Sequence, residues 1–210
     1  MALSARYYPS DYVTVTEYLK REETAETKSE YVDGKIIAMA GTSLPHNDIS
    51  LNVAFAMRSQ FGDRPCRANV SDIRVKVSAN RFRYPDVVAL YGRPEIENTK
   101  PPSLLNPQVL VEVLSDSTER IDLVTKLNEY SRFATLTDYI LIAQDRREVL
   151  HYAHENGEAW TVRTHTEPGD TLNIVSTGVS MTLTAIYRNV ELEAEPEISD
   201  NGEANVQNTV

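Results

Sequence analysis

Glu112 lies inside the run Val109-Leu110-Val111-Glu112-Val113-Leu114, flanked on both sides by valine and leucine. Bounded by Pro107 and by Ser115-Asp116-Ser117, so apolar a run reads as a central strand covered on both faces. One unpaired charge there costs on the order of several kcal/mol, so something must compensate it. The candidates are a metal ion, an ammonium group or protonation of the carboxylate itself, and two of these three make a working site.

The chain supplies partners for it. Upstream, residues 83–90 read as a second strand with Asp86 near its start, where Pro85 is tolerated because no central ladder bond is required of it. Downstream, Leu123, Leu127, Tyr130 and Ala134 recur at the spacing of one helical face, which predicts a helix over 118–133. Lys126 falls three residues after Leu123 and four before Tyr130, so its stem starts at the edge of that face. Two strand acids and a helix lysine can therefore converge. Plainer readings stand beside this one. Pro-Asp is ordinary turn chemistry for Asp86, and Asp122, four residues before Lys126, offers it a surface pair worth a few tenths of a kcal/mol.

The elements that must position these residues follow from periodicity and turn signals. Thr14 or Thr16 caps a first helix reaching to about residue 27. Asp33-Gly34 turns a hairpin over 29–39, residues 41–45 break the chain, and apolar residues Ile49, Val53, Ala56, Met57 and Phe61 mark a helix over 46–61. Residues 67–77 alternate as one strand, which Ser78-Ala79-Asn80 turns into the Asp86 strand. Strands over 138–144, 148–153 and 159–164 follow, the last two joined by the Asn156-Gly157 turn. This order describes an α/β fold, a mixed β-sheet flanked by helices.

At 210 residues the chain fits one domain, expected over 1–190, with enough length to bury a core. Residues 191–210 carry six acids and no Lys or Arg and read as a disordered acidic tail. The overall charge of −10 therefore leaves 25 acids against 21 bases in the body, which argues against a broad basic surface for nucleic acid. Cys66 is the single cysteine, and it reads as a small buried hydrophobe, not a nucleophile. With no apolar stretch of membrane-spanning length and no signal-peptide pattern, a cytoplasmic setting without membrane contact is expected.

Seven landmarks together resemble the Uma-type family of restriction-endonuclease-like proteins, a branch of the PD-(D/E)xK superfamily, over residues 14–187. They are Glu30-Tyr31-Val32-Asp33-Gly34-Lys35-Ile36, Pro45-His46, Ser71-Asp72-Ile73-Arg74-Val75, Tyr84-Pro85-Asp86-Val87, Val111-Glu112-Val113-Leu114-Ser115, Lys126 through Tyr130, and Tyr139-Ile140-Leu141-Ile142. The resemblance implies a restriction-endonuclease-like fold and a Mg²⁺-dependent or Mn²⁺-dependent DNA endonuclease. In it Asp86 and Glu112 are the metal ligands, Lys126 is the catalytic amine and Glu30 an auxiliary acid. The superfamily pattern places a lysine two residues after the strand carboxylate; this chain has Leu114 there, so Lys126 takes the role from the helix.

Such a site hydrolyses a phosphodiester with hard oxygen ligands, and no Cys/His cluster points to zinc. His46, opening a helix, is a candidate phosphate contact, and Arg74, Lys76, Arg81 and Arg83 form a candidate basic rim with Arg74 touching DNA. Asp72 and Arg74 read otherwise as a solvated strand face. A homodimer would cut both strands. The rivals are a non-catalytic module of the same fold that binds protein or nucleic acid, and a hydrolase of another phosphate ester.

Overall fold

The computed structural model describes residues 11–39, 41–115, 121–154 and 159–192, without the side chains of residues 121 and 122. The first helix, α1 (Val15–Glu22), starts with a reciprocal cap: the Glu17 N–H donates to the Thr14 hydroxyl at 3.2 Å, and the Thr14 N–H to the Glu17 carboxylate at 2.8 Å. It stops five residues short of the expected 27, because Glu22 turns inward to accept from the Ser29 N–H at 3.1 Å. Strands β1 (Ser29–Val32) and β2 (Lys35–Ala38) pair across Asp33-Gly34, whose φ of 48° and 98° are the two left-handed conformations of a tight hairpin turn. Helix α2 (Leu44–Phe61) begins two residues before the expected start, at a Ser43 cap.

The expected single strand over 67–77 is two strands, β3 (Cys66–Val70) and β4 (Arg74–Ser78). Ser71, at φ 55°, swings the chain out of one sheet and into another. The return crossing separates β5 (Arg81–Arg83) from β6 (Val87–Tyr91) at Tyr84-Pro85-Asp86, where Pro85 has no N–H to give a ladder. Asp86 thus sits between the sheets, just before the strand it was expected to open. The Ser71 N–H donates to the Asp86 carbonyl at 2.8 Å and fastens the crossings together.

Short strands β7 (Ile96–Glu97) and β8 (Ser103–Leu104) precede β9 (Val109–Leu114), the Glu112 strand. The lysine segment is π-helical over Ile121–Lys126 and α-helical only in α3 (Leu127–Tyr130), in place of the uniform helix expected from 118. Then come β10 (Asp138–Ala143), β11 (Val149–Ala153) and β12 (Thr161–His165). A hairpin of β13 (Thr171–Ile174) and β14 (Val179–Thr182) with the one-turn helix α4 (Leu183–Ile186) was not expected, since its strands are too short to show a period. The Asn156-Gly157 turn, the Asp122 side chain and the tail past residue 192 lie outside the described residues.

One six-stranded sheet runs β2-β1-β5-β4-β8-β7, a second β12-β11-β10-β9-β6-β3, and β13-β14 form a two-stranded third, so the fold is the expected mixed α/β arrangement, divided among sheets. In the second sheet β9 is central, parallel to β10 and antiparallel to β6. Its alternate residues divide the core. Val109, Val111 and Val113 pack with Ile140 and Ile142 toward Ile49, Val53 and Met57 of α2. Leu110 and Leu114 pack with Val88 and Leu141 toward Tyr130 and Leu136, and the period of two puts Glu112 on this side. Val190 and Leu192 pack against the core. Among the described residues no helix is long and apolar enough to cross a membrane.

Candidate active site

Glu112 is compensated by an ammonium and a phenol. Its side chain is 4% exposed, and one oxygen, Oε1, lies 2.9 Å from Lys126 Nζ and accepts from the Tyr130 hydroxyl at 2.8 Å. Lys126 and Tyr130 are four residues apart, so they reach the same point from one helical face. Burial first, and then the Glu112 charge, push the Tyr130 phenol well above its ordinary pKa, so it remains a proton donor to the carboxylate.

Asp86 reaches the same region from the sheet crossing. The pairing of β6 with β9 ends at Val87 and Val111, leaving the Val113 N–H without a ladder partner on that side, and Asp86 Oδ2 accepts it at 2.8 Å. The same oxygen lies 3.2 Å from His46 Nε2 in the first turn of α2. Glu30, on β1, brings Oε1 to 3.9 Å from Lys126 Nζ. Glu30, His46, Asp86, Glu112 and Lys126 all line one cavity of about 470 Å³, with Tyr84, Ser43 and Gln144 on its wall. Ser43, the cap of α2, also donates to Gln144 at 2.6 Å and so joins the helix start to the end of β10.

Behind the cavity is a layer that the sequence reading missed. Arg83 donates to Glu30 Oε2 at 2.6 Å and, through Nε and Nη2, to both oxygens of buried Glu129 at 2.9 Å each. Arg81 adds a contact to Glu129 at 3.3 Å and pairs with Asp33. From Glu112 through Lys126, Glu30, Arg83 and Glu129 to Arg81 the charges alternate, so Lys126, Glu30, Arg83 and Glu129 each meet an opposite charge on both sides. Burial pulls the Arg83 pKa down, yet the Glu129 hydrogen bonds and the Glu30 charge overcome it and hold the pKa above its ordinary value. The only signal in the sequence was Arg81 and Arg83 straddling Phe82, an alternation that reads equally well as a solvated face.

That network corrects the expected basic rim. Arg74 is fully buried, donating to Ser103 and Thr99 hydroxyls at 2.9 Å and to the Pro101 carbonyl, so it is neither a DNA contact nor part of a solvated face. Arg83 is buried, Arg81 serves Asp33 and Glu129, and Lys76 pairs with Glu97. Lys76, Arg81 and Arg83 neutralise the protein's own acids, and Arg74 is spent on hydroxyls and a carbonyl. Cys66 is partly buried and packs against the core, as expected.

The cavity's donors fit a hard divalent cation. Three carboxylates, from Glu30, Asp86 and Glu112, line it together with the Lys126 ammonium, and all the anionic donors are oxygens. Among the described residues no three His, Cys, Asp or Glu side chains cluster as a complete metal cage. Mg²⁺ asks for less, since one or two carboxylates suffice when water and phosphate complete its shell.

Residues 15–185 match the Uma2 family model, described as "Putative restriction endonuclease". Two proteins of Synechocystis sp. (strain ATCC 27184 / PCC 6803 / Kazusa), named as uncharacterized proteins sll1609 and slr1290, are similar in sequence. The first is 34% identical over 149 residues, 70% of this chain and 84% of the relative. The second is 30% identical over 182 residues, 86% and 94% respectively. In fold, the chain is similar to a crystal structure from Anabaena variabilis ATCC 29413 described as "a putative nuclease belonging to DUF820". The TM-score is 0.67 at 20% identity, over 83% of this chain and 97% of that one.

Proposed function

Because the chain belongs to the Uma2 family, we propose that it is a metal-dependent DNA endonuclease in which Asp86 and Glu112 hold Mg²⁺ or Mn²⁺, Lys126 is the catalytic amine and Glu30 an auxiliary acid. The observation that carries this reading is the meeting in one cavity of acids from β1, the sheet crossing and β9 with a lysine from the π-helical segment. A buried lysine aimed at a strand carboxylate is what the chemistry needs. A divalent ion at Asp86 and Glu112 would neutralise charge building on the scissile phosphate and lower the pKa of the attacking water.

The protein's groups do the rest. Lys126, held between Glu112 and Glu30, orients the water and stabilises charge on the pentavalent phosphorus centre. Arg83 keeps Glu30 facing the ammonium. His46, at the start of α2 and against Asp86, is placed to donate to a phosphate oxygen. Two copies related by a twofold axis would cut both strands, in the cytoplasmic setting that a lone cysteine suits.

Calorimetric titration with Mn²⁺, alongside cleavage of supercoiled and single-stranded DNA, tests the reading. Wild type should bind the ion and cut, and Asp86→Ala and Glu112→Ala should lose both. The second reading is a non-catalytic binding module of the same fold. It draws on the observation that Lys126 and Tyr130 already compensate Glu112 and that the hairpin's cations are spent internally. Absence of Mn²⁺ binding by the wild type would select it.

A further inference from the structure

A second cavity, of about 490 Å³, opens at the opposite end of β10 from the first, where Asp138 begins the strand. Its floor is a braced histidine. Asp138 and His151 are each 4% exposed at the side chain, with His151 Nε2 2.8 Å from Asp138 Oδ1. The second oxygen, Oδ2, accepts from the Thr137 hydroxyl at 2.8 Å and from the Ser176 hydroxyl at 2.6 Å. With both of its oxygens engaged, the carboxylate serves to hold the imidazole, and Nδ1 is the ring nitrogen left over. None of these residues belongs to the proposed nuclease site.

Arg163 stands directly across from His151 in the pairing of β11 with β12, so the two side chains rise side by side from one face of the sheet. It lines the cavity and makes no ion pair among the described residues. His165, next along that face, has its pKa lowered by burial first and then by His151, with Asp170 opposing and Arg163 adding to the lowering. His154, also on the wall, donates from Nε2 to the Leu136 carbonyl at 2.6 Å and has a buried Nδ1 without a partner. Ala153 and Val175 supply apolar surface beside these groups. Lining the cavity, then, are a guanidinium with no ion pair among the described residues, an imidazole fixed by its carboxylate, and an apolar wall, in a volume within the roughly 300–1,000 Å³ typical of small-molecule sites.

We propose that this cavity binds a small organic anion, its phosphate or carboxylate group seated between Arg163 and His151 and its apolar part against Ala153 and Val175. Arg163 supplies the paired donors that such groups accept. This site is independent of the nuclease reading and survives its failure.

The test is calorimetric titration of the full chain, in buffer containing a metal chelator, with adenosine monophosphate, citrate and inorganic phosphate as separate probes. At least one organic anion should bind with one-to-one stoichiometry, and Arg163→Gln, at an exposed position on β12, should weaken it about tenfold or more. Glu112→Gln, in the other cavity, should leave that affinity unchanged. Preference for the monophosphate identifies a phosphate-bearing ligand, and preference for citrate a carboxylate. The proposal is overturned if no organic probe binds at millimolar concentration, if Arg163→Gln binds as wild type does, or if Glu112→Gln abolishes binding.

Discussion

A lysine ammonium 2.9 Å from a nearly dry carboxylate compensates a buried charge and, in the function proposed above, also acts on the substrate; one substitution separates the two roles. Lys126→Met removes the ammonium from buried Glu112 and keeps the Tyr130 hydroxyl bond, so stability in metal-free buffer should fall by on the order of 3 kcal/mol in urea unfolding. Added Mn²⁺ should return part of that loss, since a cation at Glu112 replaces the missing ammonium and stabilises the folded state by mass action. Turnover should drop about 10²-fold or more while the ion still binds. Undiminished cleavage by Lys126→Met would remove the residue from the mechanism. Glu112 was legible in the sequence because a charge amid valines and leucines is costly wherever that strand goes. Arg83 and Glu129 were not, because a charged residue's partner across 46 positions leaves no trace in local spacing.

Among the elements, α2 positions the site through its first turn. Ser43 satisfies the His46 N–H at 3.2 Å and reaches Gln144, so Ser43→Ala should cost about 1 kcal/mol of stability and loosen His46 against Asp86. Urea midpoints measure the first effect and the Mn²⁺ affinity the second; a variant identical to wild type in both would show that the cap does not position the site. Local signals served well where local chemistry decides, as at the Thr14 cap and the Asp33-Gly34 turn. They failed at Ser71, where one left-handed residue sends adjacent strands to different sheets, and at the π-helical segment that delivers Lys126. Both follow from packing against distant strands. A period of apolar residues does not encode them.

Across the whole molecule the tyrosines set an alkaline limit. Burial first holds Tyr18 up at about 12, and it raises Tyr84, Tyr130 and Tyr187 above the ordinary 10 as well. Between those values the folded chain keeps protons that the unfolded chain has lost. Their contribution to stability is therefore whole below pH 10 and falls as pH climbs from 10 toward 12. Urea midpoints at neutral pH and above pH 10, followed with tyrosinate absorbance, should show the decline; a flat profile would contradict it. The acidic tail is a separate matter of net charge. With Leu192 packed on the core, truncation belongs after it, and removing residues 193–210 should leave the unfolding midpoint in place while strengthening any DNA binding at low salt. A midpoint lower by several degrees would make the tail part of the fold.

Sequence by itself determined the identities that chemistry requires: a carboxylate within an apolar strand, an acid after Pro85, and a lysine on the same helical face as Tyr130. Composition and turn dipeptides were enough for the α/β class, since burial cost and backbone conformation act over a few residues. Only the tertiary structure decided which charges face the cavity and which face one another. Arg74 and Arg83 look alike in the chain, beside lysine and arginine on one hairpin. Arg74 ends fully enclosed by Ser103, Thr99 and Pro101, and Arg83 ends behind the cavity holding Glu30. A buried cation must find counterions or hydrogen-bond acceptors wherever folding brings them, and those partners are set by sheet topology, not by neighbours in sequence.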